Sequence, residues 1–118
     1  MANLLTETQA MMGYIDKYWT DVDWIGSSGK QGVEISIENF LQISADTDYD
    51  SGYGWPEIVV DLVIVFKDGS WLERAEYDGS EWWEYRKTPA RPSEIAVTRN
   101  LKVSDWSNYL SDCLDLLS

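Results

Sequence analysis

Residues 58–87 read Ile58-Val59-Val60-Asp61-Leu62-Val63-Ile64-Val65-Phe66-Lys67-Asp68-Gly69-Ser70-Trp71-Leu72-Glu73-Arg74-Ala75-Glu76-Tyr77-Asp78-Gly79-Ser80-Glu81-Trp82-Trp83-Glu84-Tyr85-Arg86-Lys87. From Ile58 to Phe66 only Asp61 is polar, the pattern of a strand covered on both faces and therefore central in its sheet. Asp68-Gly69 and Asp78-Gly79 are hairpin-turn dipeptides, because Gly and Asp tolerate the backbone conformations that tight turns need. They divide the stretch into three antiparallel strands, a meander over about 58–87.

Register decides which side chains meet. With two-residue loops, partners sum to 137 in the first hairpin and to 157 in the second, so Asp61, Glu76 and Glu81 line up across three strands. Glu73 then faces Glu84, and Trp82 lies beside Ala75 and Leu62. Like charges directly opposite destabilise a sheet by roughly 0.2–1 kcal/mol per pair, so such a row asks for a cation, a basic partner or another register. A three-residue loop with a Gly bulge fits Asp-Gly equally well and slips the ladder.

Upstream, Leu4, Leu5, Met11, Met12, Ile15, Tyr18 and Trp19 recur at helical spacing behind Asn3, which predicts a capped amphipathic helix. Val22–Gly26 and Gly32–Ile37 flank Ser27-Ser28-Gly29-Lys30 and read as a hairpin. Ser36 then caps a brief helix carrying Phe40, Leu41 and Ile43. Residues 44–57 have turn formers and no periodicity, which predicts an acidic loop without a regular element. Downstream of Pro89 and Pro92, residues 94–103 read as an edge strand. Ser104 opens a closing helix bearing Trp106, Tyr109, Leu110, Cys113, Leu114 and Leu117 on one face. The expected fold is α+β, an antiparallel sheet packed by N-terminal and C-terminal helices, in one domain over 1–118.

Composition narrows the chemistry. The 118 residues carry 9 Lys and Arg against 21 Asp and Glu, a formal net charge of −12, which repels nucleic acid as a direct partner. No His and one Cys leave no His-based triad, Cys–His dyad, ordinary zinc site or intrachain disulfide. Hydrophobic residues make up 44% and aromatics 14%, enough to bury a core. Trp71, Trp83 and Trp106 read as core or sheet-face aromatics, and Cys113 as a small core residue. No membrane span or basic leader is apparent, and one thiol suits the reducing cytoplasm.

Three groups of side chains are candidates for chemistry. Glu73 and Glu84 beside Trp71 and Trp82 formally match a glycosidase carboxylate pair with stacking surfaces. Asp46, Asp48, Asp50 and Glu57 occupy positions 1, 3, 5 and 12 of a twelve-residue window, resembling the EF-hand calcium loop. Ser51 stands where that family needs Gly, and Pro56 at position 11, with a strand rather than a helix following. No metal or other cofactor is part of the principal reading. The third group is electrostatic: between Asp21 and Asp61 nine acids face one base, Lys30, and no Lys or Arg occurs from 31 to 66. Two-thirds of the net charge therefore sits in about a third of the chain. Self-repulsion of that size points to a cationic protein partner, with Tyr49, Tyr53 and Trp55 supplying apolar contact among the acids.

In size, acidity, absence of His and the loop Asp46-Thr47-Asp48-Tyr49-Asp50-Ser51-Gly52-Tyr53-Gly54, the chain resembles in type two groups of small acidic binders. One is the phage-encoded anti-defence proteins, including anti-CRISPR proteins and other DNA mimics. The other is the bacterial toxin-immunity proteins that cap a basic nuclease. The resemblance implies a non-enzymatic inhibitor acting in the cytoplasm, the host's if phage-encoded, on a basic nucleic-acid-binding effector or nuclease. The expected partner-binding residues are Asp46, Asp48, Tyr49, Asp50, Tyr53, Trp55, Glu57 and Asp61. Calcium held by Asp46, Asp48, Asp50 and Glu57 is the alternative use of the same loop.

Overall fold

The computed structural model describes residues 1–50, 52, 54–105 and 108–114. The chain divides into two compact units, Met1–Thr88 and Pro89–Ser118, where the sequence shows no linker and reads as one domain. The fold is α+β, with two α-helices, a five-stranded antiparallel sheet and a two-stranded one among the described residues.

In the first unit, β1 (Ala2–Asn3) leads into α1 (Leu4–Tyr14), whose first turn is capped by the Asn3 side chain accepting from the Thr6 N–H at 3.0 Å. The helix stops earlier than its apolar stripe because Asp16 takes a left-handed conformation, φ 56°, and the Lys17 N–H closes on Met12 O at 2.8 Å. Tyr18 and Trp19 therefore lie beyond α1, Trp19 opening a short 3-10 turn to Asp21. β2 (Val22–Ser27) and β3 (Val33–Ile35) form the expected hairpin, and α2 (Ile37–Ala45) starts where Ser36 Oγ accepts from the Asn39 N–H at 3.0 Å.

The meander is β5 (Val63–Phe66), β6 (Trp71–Tyr77) and β7 (Ser80–Arg86), and the sheet order β3-β2-β5-β6-β7 makes β5 central. Two corrections concern β5. It begins at Val63, not Ile58, and its burial alternates, with Ile64 and Phe66 buried and Val63 and Val65 half-buried. Its hairpin to β6 has partners summing to 136, such as Ile64 with Leu72. The loop is the three-residue Lys67-Asp68-Gly69 with Gly69 at φ 89°, so the ladder slips and Asp61 leaves the expected row of acids. The second hairpin keeps its two-residue loop, Asp78 (φ 51°) and Gly79 (φ 87°), and places Glu73 opposite Glu84, Ala75 opposite Trp82 and Glu76 opposite Glu81.

One face of the sheet carries Ile25, Ile64, Leu72, Arg74, Glu81 and Trp83, and α1 packs on it. Leu4, Met12, Val22, Phe40, Tyr49, Ile58, Leu62 and Phe66 also belong to the buried cluster. Trp83 Nε1 donates to Thr8 Oγ1 at 2.8 Å, fixing β7 to α1. A further correction concerns residues 44–57: Asp48–Tyr49 form β4, antiparallel to β1, because a second short strand lay at the N-terminus to receive it.

In the second unit the expected edge strand over 94–103 is absent among the described residues, where Thr98 instead makes an isolated bridge with Leu114. Ile95, Val97, Leu101 and Val103 are exposed, so no packing stabilises a ladder there. Where the closing helix was expected, the described residues hold a 3-10 turn over Leu110–Cys113, with Cys113 buried and Tyr109 and Leu110 exposed. An apolar stripe forms a helix only where something buries it. Trp106 and Leu117 lie outside the described residues. No helix among the described residues is long and apolar enough to cross a membrane.

Candidate acidic interface

The acidic segment from Asp46 to Asp61 is tied down at both ends. At its start, Thr47 Oγ1 donates to Ile43 O at 2.7 Å, and Asn3 Nδ2 donates both to Ala45 O at 3.0 Å and to Asp48 Oδ1 at 2.8 Å. In the middle, Asp50 N–H donates to Glu57 Oε2 at 2.8 Å while Asp50 Oδ1 accepts from Gly52 N–H at 3.1 Å. At its end, the N–H groups of Glu57 and Ile58 donate to the Glu81 carboxylate at 2.7 and 3.2 Å. That carboxylate takes the backbone donors a strand would have used, which is why residues 57–62 turn instead of extending β5.

Glu81 is buried because Arg74 meets it. The Arg74 side chain, 3% exposed, donates Nη2 to Glu81 Oε1 at 3.1 Å and to the Tyr49 hydroxyl at 3.1 Å, and Nη1 to Glu7 Oε1 at 3.0 Å. Tyr49 in turn donates to Glu7. The guanidinium also sits over the Trp83 ring, 4.8 Å from its centroid, and 5.7 Å from that of Tyr49. Burial raises the Glu7 carboxyl above its ordinary value, against the lowering influence of Arg74, and Glu81 adds to the rise. Glu7, Arg74 and Glu81 thus form a cluster of one cation between two carboxylates beneath the acidic segment. Glu7 and Arg74 stand out in no pattern of a sequence with 21 acids; Glu81 appears there only in the expected row with Asp61 and Glu76, and Arg74 is the cation it meets.

The structure separates the predicted interface residues. Asp46, Asp48, Asp50, Glu57 and Asp61 are all exposed, as is Trp55 at 88%. Tyr49 is not: at 2% exposure it belongs to the core, which corrects its assignment as a contact residue, and the reason is its hydroxyl's place between Glu7 and Arg74. Tyr53 lies outside the described residues. Among the described residues the ion pairs are Lys17–Asp68, Arg74–Glu7, Arg74–Glu81 and Arg86–Glu73, so none of the five exposed acids is paired. Nor, among those residues, do three or more acids gather as a metal-binding group, and the EF-hand spacing of Asp46, Asp48, Asp50 and Glu57 does not become a cage.

Glu73 and Glu84 stand opposite each other on the other sheet face, with Trp82 Nε1 donating to Glu84 at 2.8 Å and Trp71 Nε1 to Glu73 at 2.9 Å. Arg86 Nε approaches Glu73 at 3.5 Å. Each carboxylate is thus occupied by an indole of its own strand. Comparison with protein families, curated proteins and solved structures finds no match for this chain.

Proposed function

We propose that the chain is a non-enzymatic inhibitor of the DNA-mimic type, docking its acidic segment on a basic, nucleic-acid-binding surface of another protein such as an anti-phage defence effector or a nuclease. Five exposed carboxylates within sixteen residues, none of them in an ion pair among the described residues, carry the reading: Asp46, Asp48, Asp50, Glu57 and Asp61, in a stretch of chain free of Lys and Arg from 31 to 66. The hydrogen bond that Asn3 donates to Asp48, and those that the Glu57 and Ile58 N–H groups donate to Glu81, hold that segment in place before a partner arrives, and preorganisation lowers the entropic cost of association.

Affinity capture from the native host, at low and at high salt, tests the reading. The expected partner is basic, is released as salt rises, and is displaced by excess duplex DNA. Replacing Asp46, Asp50 and Asp61 by Asn slows its association more than it speeds its dissociation. A partner retained equally by this variant, or one that still binds DNA while captured, overturns the reading.

A further inference from the structure

The acidic segment borders an apolar groove. Between α2 and residues 57–62 a cleft of about 300 Å3 is lined by Leu4, Phe40, Ile43 and Val59 among others, with Glu57 as its one charged residue. A second cleft, of about 380 Å3, shares Ile35, Val59 and Leu62 with the first and reaches Val33 on β3, a free edge of the sheet; its one charged residue is Asp61. Ile43, Val59 and Val33 are 58%, 64% and 64% exposed. Scattered exposed aliphatics need no explanation, but three around one pair of joined clefts, edged by carboxylates, mark a recognition surface.

Charge selects the occupant. Glu34, Glu38 and Asp46 stand exposed on β3 and beside or within α2, adding to Glu57 and Asp61, and no Lys or Arg lines either cleft. A second copy of this chain would bring the same acids against themselves, and an anionic lipid or nucleic acid is repelled for the same reason. A cationic amphipathic polypeptide satisfies both halves of the surface. With Tyr49 withdrawn into the core, the groove also supplies the desolvated apolar centre that a tight interface needs inside its polar rim. Resting on the reading of the acidic face given above, we propose that the joined clefts are the anchor site for a basic amphipathic segment of the partner protein. Its aliphatic side chains seat against Ile43 and Val59, and its Lys and Arg side chains pair with Glu57 and Asp61.

Three synthetic helical peptides test this on the full chain: leucine along one stripe and lysine elsewhere, the same with alanine for leucine, and the first with glutamate for lysine. The leucine–lysine peptide is expected to bind saturably, shifting the methyl NMR signals of Ile43, Val59 and Leu62. The alanine–lysine peptide should bind at least about tenfold more weakly, and the leucine–glutamate peptide not at all. Ile43→Asp and Val59→Asp should each weaken the first peptide by a similar factor. Val60→Asp, equally exposed and outside both clefts, controls for added charge and should leave the affinity within about twofold. Equal binding of the leucine and alanine peptides overturns the groove while sparing the acidic-face reading; equal binding of the lysine and glutamate peptides overturns the acidic-face reading. Methyl shifts confined to other residues, or no binding by any peptide, overturn the anchor site. Should an aspartate variant fail to fold, the methyl map on the unaltered chain decides.

Discussion

Arg74 is surrounded on every functional nitrogen but one: Nη1 and Nη2 reach Glu7, Glu81 and Tyr49, while Nε is buried without a partner among the described residues. Removing one member of a buried ion cluster leaves the others as uncompensated charge, which typically costs about 3–5 kcal/mol, a large part of a domain's stability. Arg74→Met is therefore expected to lower the urea unfolding free energy by about that amount, and to push the Glu7 carboxyl higher still by removing its counter-charge. A loss within about 0.5 kcal/mol would show the cluster to be energetically idle. The exposed pair Lys17–Asp68, at 2.5 Å, behaves differently. The hydrogen bond that Asp68 accepts from Lys17, and then those from Ser70, hold its carboxyl well below the ordinary 3.8, while Lys17 is raised above its ordinary 10.5 chiefly by the same bond. A depressed acid stabilises above its unfolded value and ceases to do so as pH falls through the folded one; a raised base stabilises below its unfolded value and ceases as pH rises past the folded one. In Asp68→Asn, which keeps an oxygen for Ser70, the melting temperature should fall below wild type throughout the range between those ordinary values. The deficit should shrink toward strongly acidic pH and with added salt. A deficit independent of pH would assign the effect to geometry rather than charge.

At the level of elements, the close approach of β3 to β2 rests on Gly26. A Cβ there would lie 2.0 Å from Val33 O and 2.9 Å from Glu34 Cα, both backbone atoms that cannot swing aside. Gly26→Ala is expected to cost about 1–3 kcal/mol through overpacking and to abolish hydrogen-exchange protection at Val33–Ile35; protection retained in the variant would contradict this placement. How far such elements were legible follows from what drives each. Caps at Asn3 and Ser36, the β2–β3 hairpin and both Asp-Gly turns depend on local chemistry, and they stand where the residues put them. The first hairpin's register was not decidable locally, because Asp-Gly serves two loop lengths, and Lys67-Asp68-Gly69 took the longer. Ile58 to Leu62 read as strand on composition, yet a distant carboxylate, Glu81, claims the backbone N–H groups of Glu57 and Ile58. Of the candidate site, the exposed acids and Trp55 were legible from charge and loop composition; Tyr49 was not, since nothing beside it in sequence announces Glu7 or Arg74.

Across the whole molecule, charge and core are both concentrated in residues 1–88. That stretch holds 17 acids and 6 bases, against 4 acids and 3 bases in 89–118, so eleven of the twelve net negative charges belong to it. Every member of the main buried cluster, from Leu4 to Trp83, lies within it, as do both sheets and both helices. A chain ending at Thr88 therefore keeps all the side chains that bury apolar surface in the core and all five carboxylates of the proposed interface. It is expected to unfold in a single cooperative transition, with a urea midpoint close to that of the full chain and with the same salt-dependent retention of a basic partner. The described residues of the Pro89–Ser118 unit bury one hydrophobic side chain, Cys113, and the converse fragment should remain unfolded by circular dichroism. If the 1–88 chain instead melts without cooperativity, then folding of the acidic face depends on residues beyond Thr88, and the electrostatic surface could not be treated as a property of the first unit.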